Sequence, residues 1–152
     1  MYVTRTGSKN YEFKKVSLPF PLLGQHSYTI MDYTSRQVFI HITHTMSGIQ
    51  YGNIYKSDSS GSVFSLSLAN SVRNNYGYCD FTKVRGMNSV YIANHYEEND
   101  LKRARIQFEN AETPEQKEQV LEANLRRKSL ITFDRGSSWS KITPTVTQLK
   151  FC

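Results

Sequence analysis

Apolar and polar side chains alternate along most of this chain, in short runs broken by turn residues. Residues 36–44 (RQVFIHITH) put Val38, Ile40 and Ile42 on one face and Gln37, Phe39 and His41 on the other, the period of two that a strand requires. Residues 63–68 (VFSLSL) repeat the rhythm, with Phe64, Leu66 and Leu68 predicted on one side. Residues 11–18, closed by Pro19 and Pro21, read as a strand, as do 26–31, 52–56, 78–84, 90–93, 130–133 and 139–142. After the first, the strands fall into two sets of four. Each set closes on a strand–turn–strand unit, KSDSSGSVF over 56–64 and ITFDRGSSW over 131–139. Spaced repetition of four-strand units is the pattern of a β-propeller blade array.

One segment breaks the rhythm. Residues 97–128 are charged and helical in period. Asn99 or Asp100 can cap a first helix with the stripe Leu101, Ala104 and Phe108, leaving Ile106 off it. Thr113-Pro114-Glu115-Gln116 is a capping box with proline at the first helical position. Val120, Leu121 and Leu125 make a narrow second stripe, and Arg126, Arg127 and Lys128 follow, where a helix C-terminus favours cations. The expectation is a helical hairpin inserted in the second blade, serving as a solvated spacer or as a partner-binding arm.

Composition narrows the class. Aromatic residues make up 12% of the 152 residues, which suits pleated faces. No run nears the ~20 apolar residues of a spanning helix, and MYVTRTGSKNYEF lacks the apolar centre of a signal peptide. The net charge of +6 is uneven: residues 96–128 hold seven basic and eight acidic side chains, so the excess belongs to the strand-rich remainder. Such a surface attracts anions. Lys14 and Lys15 point to opposite faces of a strand, however, and no nucleic-acid motif occurs, so no nucleic-acid partner is expected. His41 and His44, three apart on a strand, face opposite ways; with His26 and His95 they give no metal clamp, and neither metal nor cofactor is expected.

The 132–139 turn carries the candidate chemistry. An Asp134 carboxylate can accept loop amides, Gly136 can adopt a positive φ, and the Thr132 or Ser138 hydroxyl can close the loop. Trp139 then starts the outgoing strand with one N–H to satisfy. A catalytic reading needs a second acid, a base or a metal, and the turn supplies none. Arg36, Arg73 and Arg85 are not grouped with a Tyr–Glu pair, as a sialidase-like glycoside hydrolase would need. No enzyme is expected.

Thr132-Phe133-Asp134-Arg135-Gly136-Ser137-Ser138-Trp139 fits the Asp-box pattern Ser/Thr-x-Asp-x-Gly-x-Ser/Thr-Trp. With QVFIH, GNIYKSDSSGSVFSLSL, DFTKVRGMNSVYIAN and SLITFDRGSSW in that order, the chain resembles the sortilin family of sorting receptors over about residues 10–143, outside the helical insertion. The nearest flavour is the sortilin-related, sorLA-like receptors. In the first turn the motif position of the Asp holds Ser59, so Ser57, Asp58, Gly61 and Phe64 form a degenerate box in which Asp58 stands one residue early. The resemblance implies an all-β fold with a helical insertion: two adjacent four-stranded blades of a ten-bladed, Asp-box β-propeller. Residues 10–22 would be the outer strand of a preceding blade, 23–70 one blade, and 71–143 a second blade with the insertion at 97–128. It further implies the lumenal part of a type I membrane receptor of Golgi, endosomes and cell surface, carrying peptide or protein cargo and completed by further blades. Cys152 would pair with a cysteine outside this chain. The alternatives are a sialidase-like hydrolase fragment and a nonfunctional truncated propeller.

Overall fold

The structure is a computed structural model that describes residues 1–4, 13–19, 28–33, 37–43, 49–74 and 76–143. Its strands are β1 (Tyr2–Val3), β2 (Lys14–Lys15), β3 (Tyr28–Asp32), β4 (Phe39–Thr43), β5 (Tyr51–Ser57), β6 (Phe64–Val72), β7 (Phe81–Lys83), β8 (Tyr91–Tyr96), β9 (Arg127–Thr132) and β10 (Ser140–Lys141). Helices α1 (Glu98–Glu109) and α2 (Pro114–Asn124) lie between β8 and β9. The chain is mostly β-sheet with a helical insertion, as the alternation predicts. Of the strand expected over 11–18, residues 11 and 12 lie outside the described residues; the rest pairs at Lys14–Lys15 and through one parallel bridge from Ser17 to Val63.

β3, β4, β5 and β6 form an antiparallel meander in which each strand pairs with the next. β7, β8, β9 and β10 form a second of the same order. A single rung, Ser71 to His95, joins β6 to β8. The meanders otherwise meet face to face. Phe39, Ile54 and Leu68 bury against Tyr91, Ala93 and Leu130, with Met31, Phe81 and Trp139 around them. The rings of Phe39, Phe81 and Tyr91 lie with centroids 5.0 to 5.3 Å apart, within the range where aromatic pairs add to area burial. The Tyr91 hydroxyl donates to the Asp32 carboxylate at 2.8 Å, and Lys83 sits 3.8 Å from the same group. The other face of the first meander (Ile40, Ile42, Tyr55 and Phe64) is covered through Met1, Val16 and Leu18. Alternation in β4 therefore separates two buried faces and not core from solvent.

Strict alternation fails in β6. Tyr55 opposes Leu66 and Ile54 opposes Leu68, so Ser67 is an extra residue on β6, a β-bulge. Phe64 consequently faces the N-terminal segment while Leu68 faces the second meander, and Leu66 is exposed. Phe64, Leu66 and Leu68 do not share the one side expected of them.

The insertion is a helical hairpin, and α1 is anchored. Leu101 and Ala104 bury among Ile49, Tyr51, Val72 and Tyr96, with Leu121 and Leu125 partly buried there. Full burial of a leucine stabilises by roughly 1.5–3 kcal/mol. The Glu98 carboxylate also accepts from the Asn70 amide at 2.9 Å. The insertion of the second meander thus grips the first, and only α2, which buries no residue, is a solvated element. Neither Asn99 nor Asp100 caps α1: the N-cap is Glu97, without a side-chain cap bond, because its carboxylate accepts from Lys141 at 2.6 Å instead. The capping box of α2 forms as expected, with Thr113 Oγ1 accepting from the Gln116 amide and Gln116 Oε1 from the Thr113 amide, both at 3.2 Å. Arg126 to Lys128 do not sit in the last turn of α2, which ends at Asn124. Leu125 is already extended, and Arg127 and Lys128 belong to β9.

Candidate functional site

The third and fourth strands of each meander are joined by a turn closed on a carboxylate. In the second meander Thr132, at the end of β9, is 1% exposed. Its hydroxyl donates to Asp134 Oδ1 at 2.7 Å and accepts the Gly136 amide at 2.9 Å. Asp134 Oδ1 also accepts the amides of Ser137 at 3.0 Å and Ser138 at 2.9 Å, and Oδ2 accepts the Ser138 hydroxyl at 2.6 Å. The Ser138 hydroxyl and amide, then the Thr132 hydroxyl, hold the Asp134 carboxyl far below the usual carboxylate range. With four donors on its two oxygens, three of them on Oδ1, Asp134 is held as a carboxylate and has no proton to give near neutral pH.

This turn is also a joint between the meanders. Arg135 and Gly136 both have positive φ, 57° and 73°. The Arg135 amide donates to the Ser89 carbonyl in the β7–β8 unit at 3.0 Å. The Gly136 carbonyl accepts the Ser67 hydroxyl at 2.7 Å, and the same Ser67 oxygen accepts the Trp139 indole N–H at 3.2 Å. Trp139 sets its ring edge-on to Phe81, with centroids 6.4 Å apart. Lys56 donates to Ser137 Oγ at 2.5 Å. The β6 bulge aims Ser67 at this turn, because the extra residue turns its side chain and that of Leu68 toward the same neighbour.

The first turn reaches the same closure by a different spacing. Asp58 Oδ1 accepts the amides of Ser62 at 3.2 Å and Val63 at 3.3 Å, and both carboxylate oxygens accept the Ser60 hydroxyl at 2.8 Å. The Ser60 hydroxyl, above all, lowers the Asp58 carboxyl from its ordinary value. Two residues separate Asp58 from Gly61 and one separates Asp134 from Gly136, yet both glycines have positive φ, 75° and 73°. Ser57 is not brought to the carboxylate. Its hydroxyl accepts the Val38 amide at 2.8 Å and donates to the Asp58 carbonyl at 2.9 Å. Phe64 packs on the face away from the second meander, so it is no counterpart of Trp139. The sequence reading left out Ser60, Ser62, Ser67 and Ser89. The serine-dense SDSSGS run signals the first two, and nothing local signals the others.

The remaining candidates are scattered. His41 is buried in β4, and the Cys79 thiol is free and pushed up to about 11 by burial. His26, His44, Arg36 and Cys152 lie outside the described residues. Among the described residues no three His, Cys, Asp or Glu side chains converge as a metal site, and no helix is long and apolar enough to cross a membrane.

Comparison with known proteins gives a consistent picture. The Sortilin-Vps10 family model, described as sortilin, neurotensin receptor 3, matches residues 1–152. The vacuolar protein sorting/targeting protein 10 of Debaryomyces hansenii is 32% identical over 132 residues, covering 86% of this chain and 7% of the relative. The corresponding protein of Candida albicans is 33% identical over 119 residues, covering 78% and 6%. The vacuolar protein sorting/targeting protein PEP1 of Saccharomyces cerevisiae is 31% identical over 147 residues, covering 94% and 8%. The chain spans less than a tenth of the length of these curated relatives. The match across the whole chain, over strands and carboxylate-closed turns alike, means that this chain belongs to the Sortilin-Vps10 family.

Proposed function

We propose that this chain is two consecutive blades of a larger β-propeller, in a sorting receptor that carries peptide or protein cargo between Golgi, cell surface and endosomes. The observation that carries the reading is the family match over residues 1–152. Two face-packed meanders of equal strand order, each with its last turn closed on a carboxylate, agree with it. In this reading β3 to β6 form one blade within 23–70, and β7 to β10 form the next within 71–143, around the insertion at 97–128. The strand near 10–22 closes a preceding blade. Thr132, Asp134, Gly136, Ser138 and Trp139 form an Asp box, and Asp58 with Gly61 forms a lengthened variant of one. Both boxes are structural pins without catalytic duty. The whole receptor is a type I membrane protein completed by further blades, with Cys152 bridged to a cysteine elsewhere in it.

Cargo recognition in this reading uses the edges of β3 and β7, the first strands of the two blades, which pair with no further strand among the described residues and where an extended peptide can add backbone hydrogen bonds. The test is to delete residues 1–152 from the gene that encodes them and to assay the medium for lumenal hydrolases. Missorting into the medium is expected. Normal retention, with the truncated product present at wild-type abundance, refutes a cargo-carrying role for this stretch.

A further inference from the structure

The connector between the meanders holds a half-buried cation, Arg73, for which the described residues supply no carboxylate. Arg73 follows β6 and forms one bridge with Cys79 across the connector. Between them, bonds from Asn74 tie down the described residues. Asn74 Oδ1 accepts the amides of Tyr76 at 3.0 Å and Tyr78 at 2.9 Å, the Asn74 amide donates to the Tyr78 carbonyl at 2.9 Å, and Gly77 has φ 87°. The Arg73 guanidinium packs against Gly77. A Cβ added there would stand 2.9 Å from Nη2 and 3.7 Å from both Cζ and Nε. Among the described residues its Nε, shut off from solvent, has no hydrogen-bond partner, and no carboxylate pairs with the group. Tyr76 and Tyr78, on either side of Gly77, are 87% and 72% exposed.

A guanidinium has five N–H donors in a planar fork and no means of neutralising itself. Half-burying one without an acceptor costs free energy. A carboxylate matches that fork with two parallel hydrogen bonds. Exposed tyrosine rings offer large amphipathic area at the cost of only two side-chain torsions each. We propose that Arg73, Tyr76 and Tyr78 form a docking corner for an acidic segment of a protein partner, one carboxylate taking the guanidinium while the flanking residues pack on the two rings. A sulfated glycan is the poorer fit: residues 73–80 (RNNYGYCD) hold one cation, whereas a polyanionic chain draws its affinity from a row of them. The site does not depend on the propeller reading above.

The test is fluorescence polarisation of fluorescein-labelled pentaglutamate on the full chain, with pentaglutamine as the neutral control. A preference for pentaglutamate of about tenfold or more is expected for a paired, charge-assisted contact. Arg73→Gln abolishes the preference, and Arg73→Lys restores only part of it, since a point charge replaces the fork. If Arg73→Gln alters the circular dichroism spectrum, the Tyr76→Ser/Tyr78→Ser double variant, at solvent-facing positions, replaces it and weakens binding severalfold. The proposal is overturned if the wild-type chain shows no preference, if a folded Arg73→Gln keeps it, or if a folded double variant binds as tightly as wild type. It is also overturned if Arg73→Gln loses a heparin hexasaccharide but no peptide.

Discussion

Replacing Gly136 by alanine attacks the joint between the meanders at its tightest point. Two costs arise, and the structure separates them. The residue has φ 73°, where a Cβ meets its own backbone at a cost of about 1–2 kcal/mol. That Cβ would also stand 2.5 Å from Ser67 Oγ and 3.0 Å from Phe39 Cε1. Neither neighbour can retreat freely, since Ser67 is held by the Gly136 carbonyl and the Trp139 indole, and Phe39 is 1% exposed. Overpacking of this kind costs about 1–3 kcal/mol. Gly61→Ala is the matched control: its φ is 75°, but a Cβ there meets nothing within 4 Å. Gly136→Ala should therefore lose about 2–5 kcal/mol and Gly61→Ala about 1–2 kcal/mol. Trp139, the single tryptophan of the chain, reports the event. Urea unfolding followed by its emission measures both variants, and its native emission should shift to the red only in Gly136→Ala. Equal losses, with unchanged native emission in both, would falsify the claim that this turn is wedged against β4 and β6.

Three further outcomes follow from the same contacts. Thr132→Val keeps the shape but leaves the buried Gly136 amide without its acceptor, so urea unfolding should show a loss of about 1–3 kcal/mol, with Thr132→Ser much milder. The Asp134 carboxyl is depressed in the folded state, so its contribution is fully present above the ordinary carboxylate value and fades as pH falls below it. The stability gap between wild type and Asp134→Asn should accordingly shrink as urea midpoints are measured from pH 6 down to pH 3, and a constant gap contradicts the linkage. Leu101→Ala should cost about 2–5 kcal/mol and release α1 from the first meander. Trypsin at the exposed Lys102, Arg103 and Arg105 would then cut faster while Trp139 emission stays native, and unchanged cleavage argues that α1 is held elsewhere.

Much of the architecture is legible because burial in a meander obeys a period of two. The strands around Val38–Ile42 and Tyr91–Ala93 follow from it, as does the capping box at Thr113, which needs only four adjacent residues. What escapes is whatever depends on distant partners. An extra residue in β6 leaves no trace in composition, so Leu66 and Leu68 read alike although one is exposed and the other buried. Ser67 looks like any outward strand serine, and its partners lie 69 and 72 residues away. The grip of α1 on Ile49, Tyr51 and Val72 is invisible for the same reason, since amphipathic spacing marks an apolar stripe but not its destination. Asp58 is a subtler case. The motif spacing marks it as misplaced, yet a turn longer by one residue lets it collect the same kind of donors.

The two ends of the helical insertion leave the sheet from opposed positions, Tyr96 and Arg127, which are partners in the β8–β9 ladder. Antiparallel partners stand only about 5 Å apart, so the pairing between these strands is indifferent to how much polypeptide is threaded between them. This corner is a natural port for engineering: a fluorescent protein or epitope spliced there in place of the hairpin would give up the grip of α1 but leave every rung of the ladder in place.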